Sequence, residues 1–217
     1  MELGVTKGTV DLLSPHRWTE ICAALGVSGI TVDHNKLLRA WARRDRRYHT
    51  LKHLSACLRE LDAARHLAEH PAEVELALWF HDAVYRTWRR DNEALSAAWA
   101  ARLLARRGAP PDVVARISNV ILATKPGDHH LTGDAALIVD IDLSILGQPP
   151  EIYDEFERNV RREYWWVPSW LYAHTRGQIL RHFQAQQKIY RFALFLDRYE
   201  APARANLERA IAALAQQ

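Results

Sequence analysis

Three short stretches of this 217-residue chain carry donor groups where apolar packing alone would place aliphatic side chains. Ala77-Leu78-Trp79-Phe80-His81-Asp82 begins as an apolar run and ends in an imidazole beside a carboxylate. Such a pair is costly in apolar surroundings unless a partner satisfies it, and a divalent cation would do so. Upstream, Tyr48-His49-Thr50-Leu51-Lys52-His53 spaces two histidines four apart, which on a helix puts both on one face. Downstream, Val139-Asp140-Ile141-Asp142-Leu143 sets two carboxylates in an apolar segment. Together these supply a His, His-Asp, Asp set for a metal site assembled from three separate helices. Two His with two Asp suit several first-row divalent ions and leave positions open for water or substrate, which distinguishes a catalytic site from a structural one. An ion so held polarises a phosphoryl oxygen and lowers the pKa of bound water, toward about 7 for zinc. Hydrolysis of a phosphate ester is the reaction this implies.

Other residues are candidates for supporting roles. Glu93, in Asp91-Asn92-Glu93, could hold a metal-bound water or act as a general base, or the trio could only cap a helix. Lys125 opens a loop that runs to the pair His129-His130.

The elements that must position these groups read as helices. Trp18, Ile21, Cys22 and Leu25 fall at helical spacing and Gly26 stops that helix, after an irregular lead-in over residues 1–16. A second helix is expected after Asp33 as N-cap. A long one follows from about His49 to His66, with Leu51, Leu54, Leu58 and Leu61 as its apolar stripe. Pro71 is placed to begin the next, which is apolar nearly all round and so central and buried, ending close to His81-Asp82. Beyond a polar loop, helices are expected to about Arg107 and, past Gly108-Ala109-Pro110-Pro111, to about Thr124. The segment from Gly133 to Leu146 has β-branched residues, but no partner strand is visible elsewhere, so it reads as helix. Helices at about Glu151 to Trp165, Ser169 to Gln184 and Ala203 to Ala215 complete the chain.

The ordered set His53, His81-Asp82 and Asp140-Ile141-Asp142 resembles the signature of the HD-domain metal-dependent phosphohydrolase superfamily. The stretches from Arg47 to His53, from Ala77 to Tyr85, Asp91-Asn92-Glu93 with Ser96, and from Asp140 to Gly147 resemble a bacterial branch labelled only as predicted HD phosphohydrolases. The resemblance implies that His53, His81, Asp82 and Asp142 bind the metal. It favours Asp142 over Asp140 because the pattern places its last Asp just before a segment like Leu143-Ser144-Ile145-Leu146; Asp140 would then orient a ligand from behind. The stretch from Tyr48 to His53 is also similar to one in cyclic-nucleotide phosphodiesterases, which implies that His49 donates a proton to the leaving oxygen. His49, Glu93 and Lys125 are therefore the candidate catalytic residues. In HD proteins with two ions, extra histidines hold the second; the spacing of His129-His130 does not match closely.

Composition limits the alternatives. Hydrophobic residues make up 48% and charged residues 25%, an ordinary globular balance, and the formal charge is only +3, so a nucleic-acid role has no support from overall charge. Of the arginine clusters, Arg46-Arg47 and Arg89-Arg90 stand near the proposed site and could attract an anionic substrate. Cys22 and Cys57 form no metal-type pair and read as buried thiols. No run approaches the roughly 18 apolar residues of a spanning helix, and no leader-like segment opens the chain, so the expected place is the cytoplasm, with no membrane partner. The expectation is a single compact all-α, HD-domain-like domain of about nine or ten helices over 1–217, its motif-bearing core at about 47–147 and flanking helices at 17–45 and 150–215. The expected function is metal-dependent hydrolysis of a small phosphate ester, a nucleotide among the options, with Mn, Mg, Co, Ni, Zn or Fe as the divalent ion. Homo-oligomers are compatible with this. The alternative is a non-catalytic HD-like pocket that senses a nucleotide or phosphate.

Overall fold

The first helix starts as its chemistry dictates. Ser14 Oγ accepts from Arg17 N–H at 3.2 Å, and Pro15 takes the first helical position, where a missing N–H costs nothing. From there the computed structural model describes residues 12–27, 31–127 and 130–216. Residues 1–11 of the lead-in expected over 1–16, and His129, lie outside the described residues; Pro15 and His16 already belong to α1.

Among the described residues the fold is all-helical, with ten α-helices: α1 (Pro15–Ala24), α2 (Thr31–Trp41), α3 (Leu51–Ala64), α4 (Pro71–Phe80), α5 (Asn92–Arg106), α6 (Pro111–Leu122), α7 (Gly133–Asp142), α8 (Pro150–Glu163), α9 (Ser169–Ala185) and α10 (Ala193–Leu214). Short 3₁₀ turns follow α3, at Arg65–Leu67, and α7, at Leu143–Gly147. The chain divides into two compact units, up to Ile138 and from Val139 onward, and the division falls inside α7.

In the first unit α4 is the central element, and every residue from Glu73 to Phe80 is buried. Its apolar residues meet α1, α3, α5 and α6. Full burial of Trp79 and Phe80 contributes about 2–3 kcal/mol each. The two acids in this helix are satisfied by arginines from its neighbours. Glu73 accepts from Arg116 Nη2 at 2.7 Å, and Glu75 accepts from Arg17 Nε at 2.5 Å and from Arg65. Trp41 Nε1 donates to the Trp79 carbonyl at 3.0 Å and so ties α2 to the end of α4.

In the second unit α10 is packed against the turn Leu143–Gly147 and against α9. The approach at Gly147 is so close that an added Cβ would lie 2.6 Å from Tyr199 Cβ and 2.7 Å from the Tyr199 carbonyl oxygen. Asn206 Nδ2 donates to the carbonyls of Leu146 and Gln148, each at 2.8 Å, and the Tyr190 hydroxyl donates to the Leu143 carbonyl at 2.9 Å. These bonds hold the turn that immediately follows Asp142.

Three boundaries differ from expectation. The helix expected from His49 begins at Leu51, because Thr50 caps it by accepting from Lys52 N–H at 3.3 Å. His49 therefore precedes the helix instead of sharing a face with His53. The second helix begins at Thr31, which puts Asp33 in its first turn, where it pairs with Arg107 at 2.9 Å. The last helix begins at Ala193 and not at Ala203, and Pro202 lies inside it. Its buried stripe, Phe195, Tyr199, Ala203 and Leu207, continues across the proline, so packing outweighs the lost backbone bond.

Candidate metal centre

His81 is the C-cap of α4, its own N–H on the Ala77 carbonyl at 2.8 Å. Its ring Nδ1 stands 2.8 Å from the Leu78 carbonyl. A carbonyl can only accept, so Nδ1 carries the proton, and in the neutral ring Nε2 is left with its lone pair. That nitrogen is 3.3 Å from His53 Nε2 and 3.4 Å from Asp82 Oδ2. A lone pair and a carboxylate oxygen this close repel unless a positive species lies between them. A proton or a divalent cation between the two atoms of either pair would serve. Two ligands held about 2.0–2.1 Å from one tetrahedral ion are themselves about 3.3–3.4 Å apart, so the spacing fits. His81 is 1% exposed and His53 5%, so the imidazoles are dry, while the Asp82 side chain is 15% exposed.

Aromatic rings hold these imidazoles in place. Trp41 packs on His81 with ring centres 5.4 Å apart, and Tyr48 on His53 at 4.7 Å. His49 stacks on Tyr85 at 3.9 Å, and its Nε2 is 3.9 Å from Asp82 Oδ2. With its side chain 18% exposed, His49 can reach solvent and a bound molecule as well as Asp82.

Arg46 takes a different place from the one its charge suggested. Expected to attract substrate, it is only 4% exposed and points inward. Its guanidinium donates to the carbonyls of His49 at 3.1 Å, Asp82 at 2.8 Å and Ala83 at 3.0 Å, between the rings of Trp41 and Tyr85. It therefore clamps the His49 segment onto the His81-Asp82 turn. The loop beyond is clipped to α5. Ser96 Oγ accepts from Val84 N–H at 3.1 Å, and the Asn92 side chain both accepts from Arg86 N–H at 3.1 Å and donates to the Arg86 carbonyl at 2.9 Å. Arg89 is paired with Asp91 on the surface at 2.6 Å, so Asp91 stands apart from the site.

Glu93, in the first turn of α5, has its carboxyl pushed up by burial. The charge of Asp82 adds to that shift, while Lys125 and His81 oppose it, so these three groups are its electrostatic neighbours. Lys125 is exposed just beyond α6, and His130 is exposed as well.

Cys57, read from the sequence as a buried thiol, is buried, and it lies beside the two imidazoles. It lies one turn after His53, and one donor atom from each of His53, Cys57 and His81 falls within 4.8 Å of the others. The spacing of four between His53 and Cys57 was the available signal. Cys57 Sγ is 3.8 Å from Nδ1 and 3.7 Å from Nε2 of His53. Nearly equal distances to both nitrogens put the sulfur against the ring and not along the in-plane lone pair, so Cys57 packs on a candidate ligand.

The two acids at the end of α7 belong to the second unit. Asp140 is fully buried, and its Oδ2 accepts from the backbone N–H groups of Arg191 and Phe192, each at 2.8 Å. Burial pushes its carboxyl up to about 6 against those two donors, and its visible task is to anchor the chain entering α10. Asp142, half-buried, ends the helix immediately before the turn that Asn206 and Tyr190 hold.

A cleft of about 540 Å³ opens elsewhere in the first unit, lined by Arg17, Glu20, Asp62, Arg65 and Glu75 among others. Its charged groups pair with one another, Arg17 with Asp62 at 2.7 Å and with Glu75 at 2.5 Å. No helix among the described residues is long and apolar enough to cross a membrane. Compared with known proteins, the chain matches no family model, no curated protein and no solved structure.

Proposed function

We propose that this protein is a metal-dependent phosphohydrolase of the HD type, acting on a small phosphate ester such as a nucleotide. The observation that carries the proposal is the convergence of His53 Nε2 and Asp82 Oδ2 on the lone-pair nitrogen of His81, at 3.3 and 3.4 Å. His53, His81 and Asp82 would hold a divalent ion. Bound there, such an ion supplies Lewis acidity toward a phosphoryl oxygen and a more acidic water. The remaining residues act on the proton and on charge. His49, beside Asp82 and stacked on Tyr85, donates a proton to the leaving oxygen. Glu93, whose carboxyl holds its proton more tightly than an exposed one, takes a proton from the attacking water and releases it to solvent, from which His49 regains the proton it gave. Lys125 balances the negative charge that a phosphate brings beside Glu93 and Asp82.

The test is a panel of phosphomonoesters and phosphodiesters assayed with Mn, Mg, Co, Ni or Zn added, beside metal analysis of the purified protein. Turnover that depends on the ion and disappears in Asp82→Ala supports the proposal. Metal bound at Asp82 with no ester hydrolysed favours the sensing pocket, and turnover unchanged in Asp82→Ala removes this site from the chemistry.

A further inference from the structure

The loop between α4 and α5 leaves the candidate metal centre and returns to it. At one end stand His81 and Asp82, and just past the other stands Glu93, whose electrostatic neighbours include both. Between them Tyr85 stacks on His49 at 3.9 Å. Trp88 comes three residues after Tyr85, so their Cα atoms are no more than about 11 Å apart. The backbone that carries Trp88 is pinned. Arg89 N–H donates to the Arg86 carbonyl at 3.0 Å, which closes a turn over Thr87 and Trp88, and the Asn92 side chain holds Arg86 by both its N–H and its carbonyl. An indole on a backbone fixed in this way loses little freedom when a ligand meets it.

Trp88 is 65% exposed, and it is the one exposed aromatic residue among the described residues of the first unit. The Arg86 guanidinium lies over its ring, 6.0 Å from the centre, and most of the ring stays open to solvent. The local charge is positive. Arg43 and Arg86 share Asp45, at 2.9 and 3.7 Å, and Arg89 takes Asp91 at 2.6 Å, while Arg90 is exposed with no acid paired to it among the described residues. A protein partner or a bilayer needs an apolar patch around its aromatic anchor, and the chain neighbours of Trp88 are Arg86, Thr87, Arg89 and Arg90 instead. A ligand that is flat and aromatic at one end and anionic at the other answers both features. Its ring stacks on the open face of the indole, and its charge meets the arginines and the metal centre.

We propose that Trp88 is a specificity-determining residue, which stacks on the base of a nucleoside phosphate whose phosphoryl group is held at the metal centre. The inference rests on the reading of that centre as a place for a phosphate ester, and it narrows the esters to those that carry a base. The test is calorimetric binding of adenosine 5′-monophosphate, uridine 5′-monophosphate and ribose 5-phosphate to the full chain, with chelator present so that nothing is hydrolysed and again with Mn, beside initial rates with Mn. Each nucleotide is expected to bind at least about fivefold more tightly than ribose 5-phosphate, and Trp88→Ala to erase that margin while affinity for ribose 5-phosphate holds within about twofold. Trp88→Phe keeps a ring and should keep most of the margin. The side chain is exposed, so circular dichroism should show the fold retained in both variants. In initial rates the loss should fall on KM and not on kcat. Nucleotides bound no more tightly than ribose 5-phosphate, or a margin that survives Trp88→Ala, overturns the proposal. A margin that depends on Trp88 with no ester hydrolysed under any ion supports it and sinks the hydrolase reading instead, whereas hydrolysis indifferent to the base overturns it and leaves that reading in place. An oligonucleotide bound through Trp88 while mononucleotides are ignored overturns it in favour of a strand.

Discussion

Replacing Arg46 should damage both stability and the metal centre, and the size of the effect can be worked from its contacts. The guanidinium, 4% exposed, makes three hydrogen bonds to carbonyls, at 2.8, 3.0 and 3.1 Å. A hydrogen bond to a charged group contributes about 1.5 kcal/mol or more, so three give roughly 4–5 kcal/mol before relaxation. Water entering the vacated space and local rearrangement return part of this, which leaves about 3–4 kcal/mol for Arg46→Met. Arg46→Lys keeps the charge but loses the planar fork and should lose about 2 kcal/mol, because one ammonium cannot reach three carbonyls spread over two segments. Two of those carbonyls belong to Asp82 and its neighbour Ala83, so the carboxylate should drift and metal affinity should fall by about 10- to 100-fold even in the Lys variant. Urea unfolding gives the first quantity and calorimetric titration with Zn or Mn the second. If Arg46→Met unfolds within about 1 kcal/mol of the unmodified chain and binds metal as well, Arg46 is not the clamp described.

Other substitutions separate the parts of the fold. Asp140→Asn should leave metal affinity within about threefold of the original, because Asp140 is occupied by the N–H groups of Arg191 and Phe192; a loss of more than about tenfold in a metal titration would make it a ligand. Gly147→Ala forces a methyl group to within 2.6 Å of Tyr199 Cβ and should destabilise by about 2–3 kcal/mol, a fall of several degrees in thermal midpoint. Cys57→Ala should change metal affinity less than about threefold, since the sulfur lies against the His53 ring; a larger loss would make it a ligand. Burial lowers the pKa of His34 from 6.5, so the folded ring stays neutral where the unfolded one takes a proton. Its contribution to stability is whole above pH 6.5 and is lost as pH falls below that value, with a slope of up to about 1.4 kcal/mol per pH unit. Urea midpoints measured across that range should show a shallower acid slope in His34→Phe.

Much of the helical order was legible because its signals are local. Pro71 opens α4, the all-round apolar run from Val74 to Phe80 is buried as its pattern required, and Gly26 and Gly108 end their helices at positive φ. The segment from Gly133 is a helix despite its β-branched residues. The misplaced boundaries arose where two local signals competed. His49 and His53 have helical spacing, but the side chain of Thr50 caps the backbone between them, and that bond decides where α3 begins. The last helix starts ten residues earlier than expected because its buried stripe continues across Pro202.

At the site, the adjacency of His53, His81 and Asp82 was readable from residue type and order. What these groups rest on was not. Arg46 looked like any other arginine in a basic run, because charge is visible in a sequence and burial between Trp41 and Tyr85 is not. Asp140 and Asp142 could not be distinguished by their own residues, since the donors that occupy Asp140 come from a segment about 50 positions further on.

Calorimetric titration of the purified chain with Zn and with Mn, beside His81→Ala, addresses the central claim most directly. One ion per chain is expected, with affinity falling by at least about 100-fold in the variant, because His81 Nε2 is the atom on which His53 and Asp82 converge. An absence of binding, or binding that survives the loss of His81 unchanged, would contradict it.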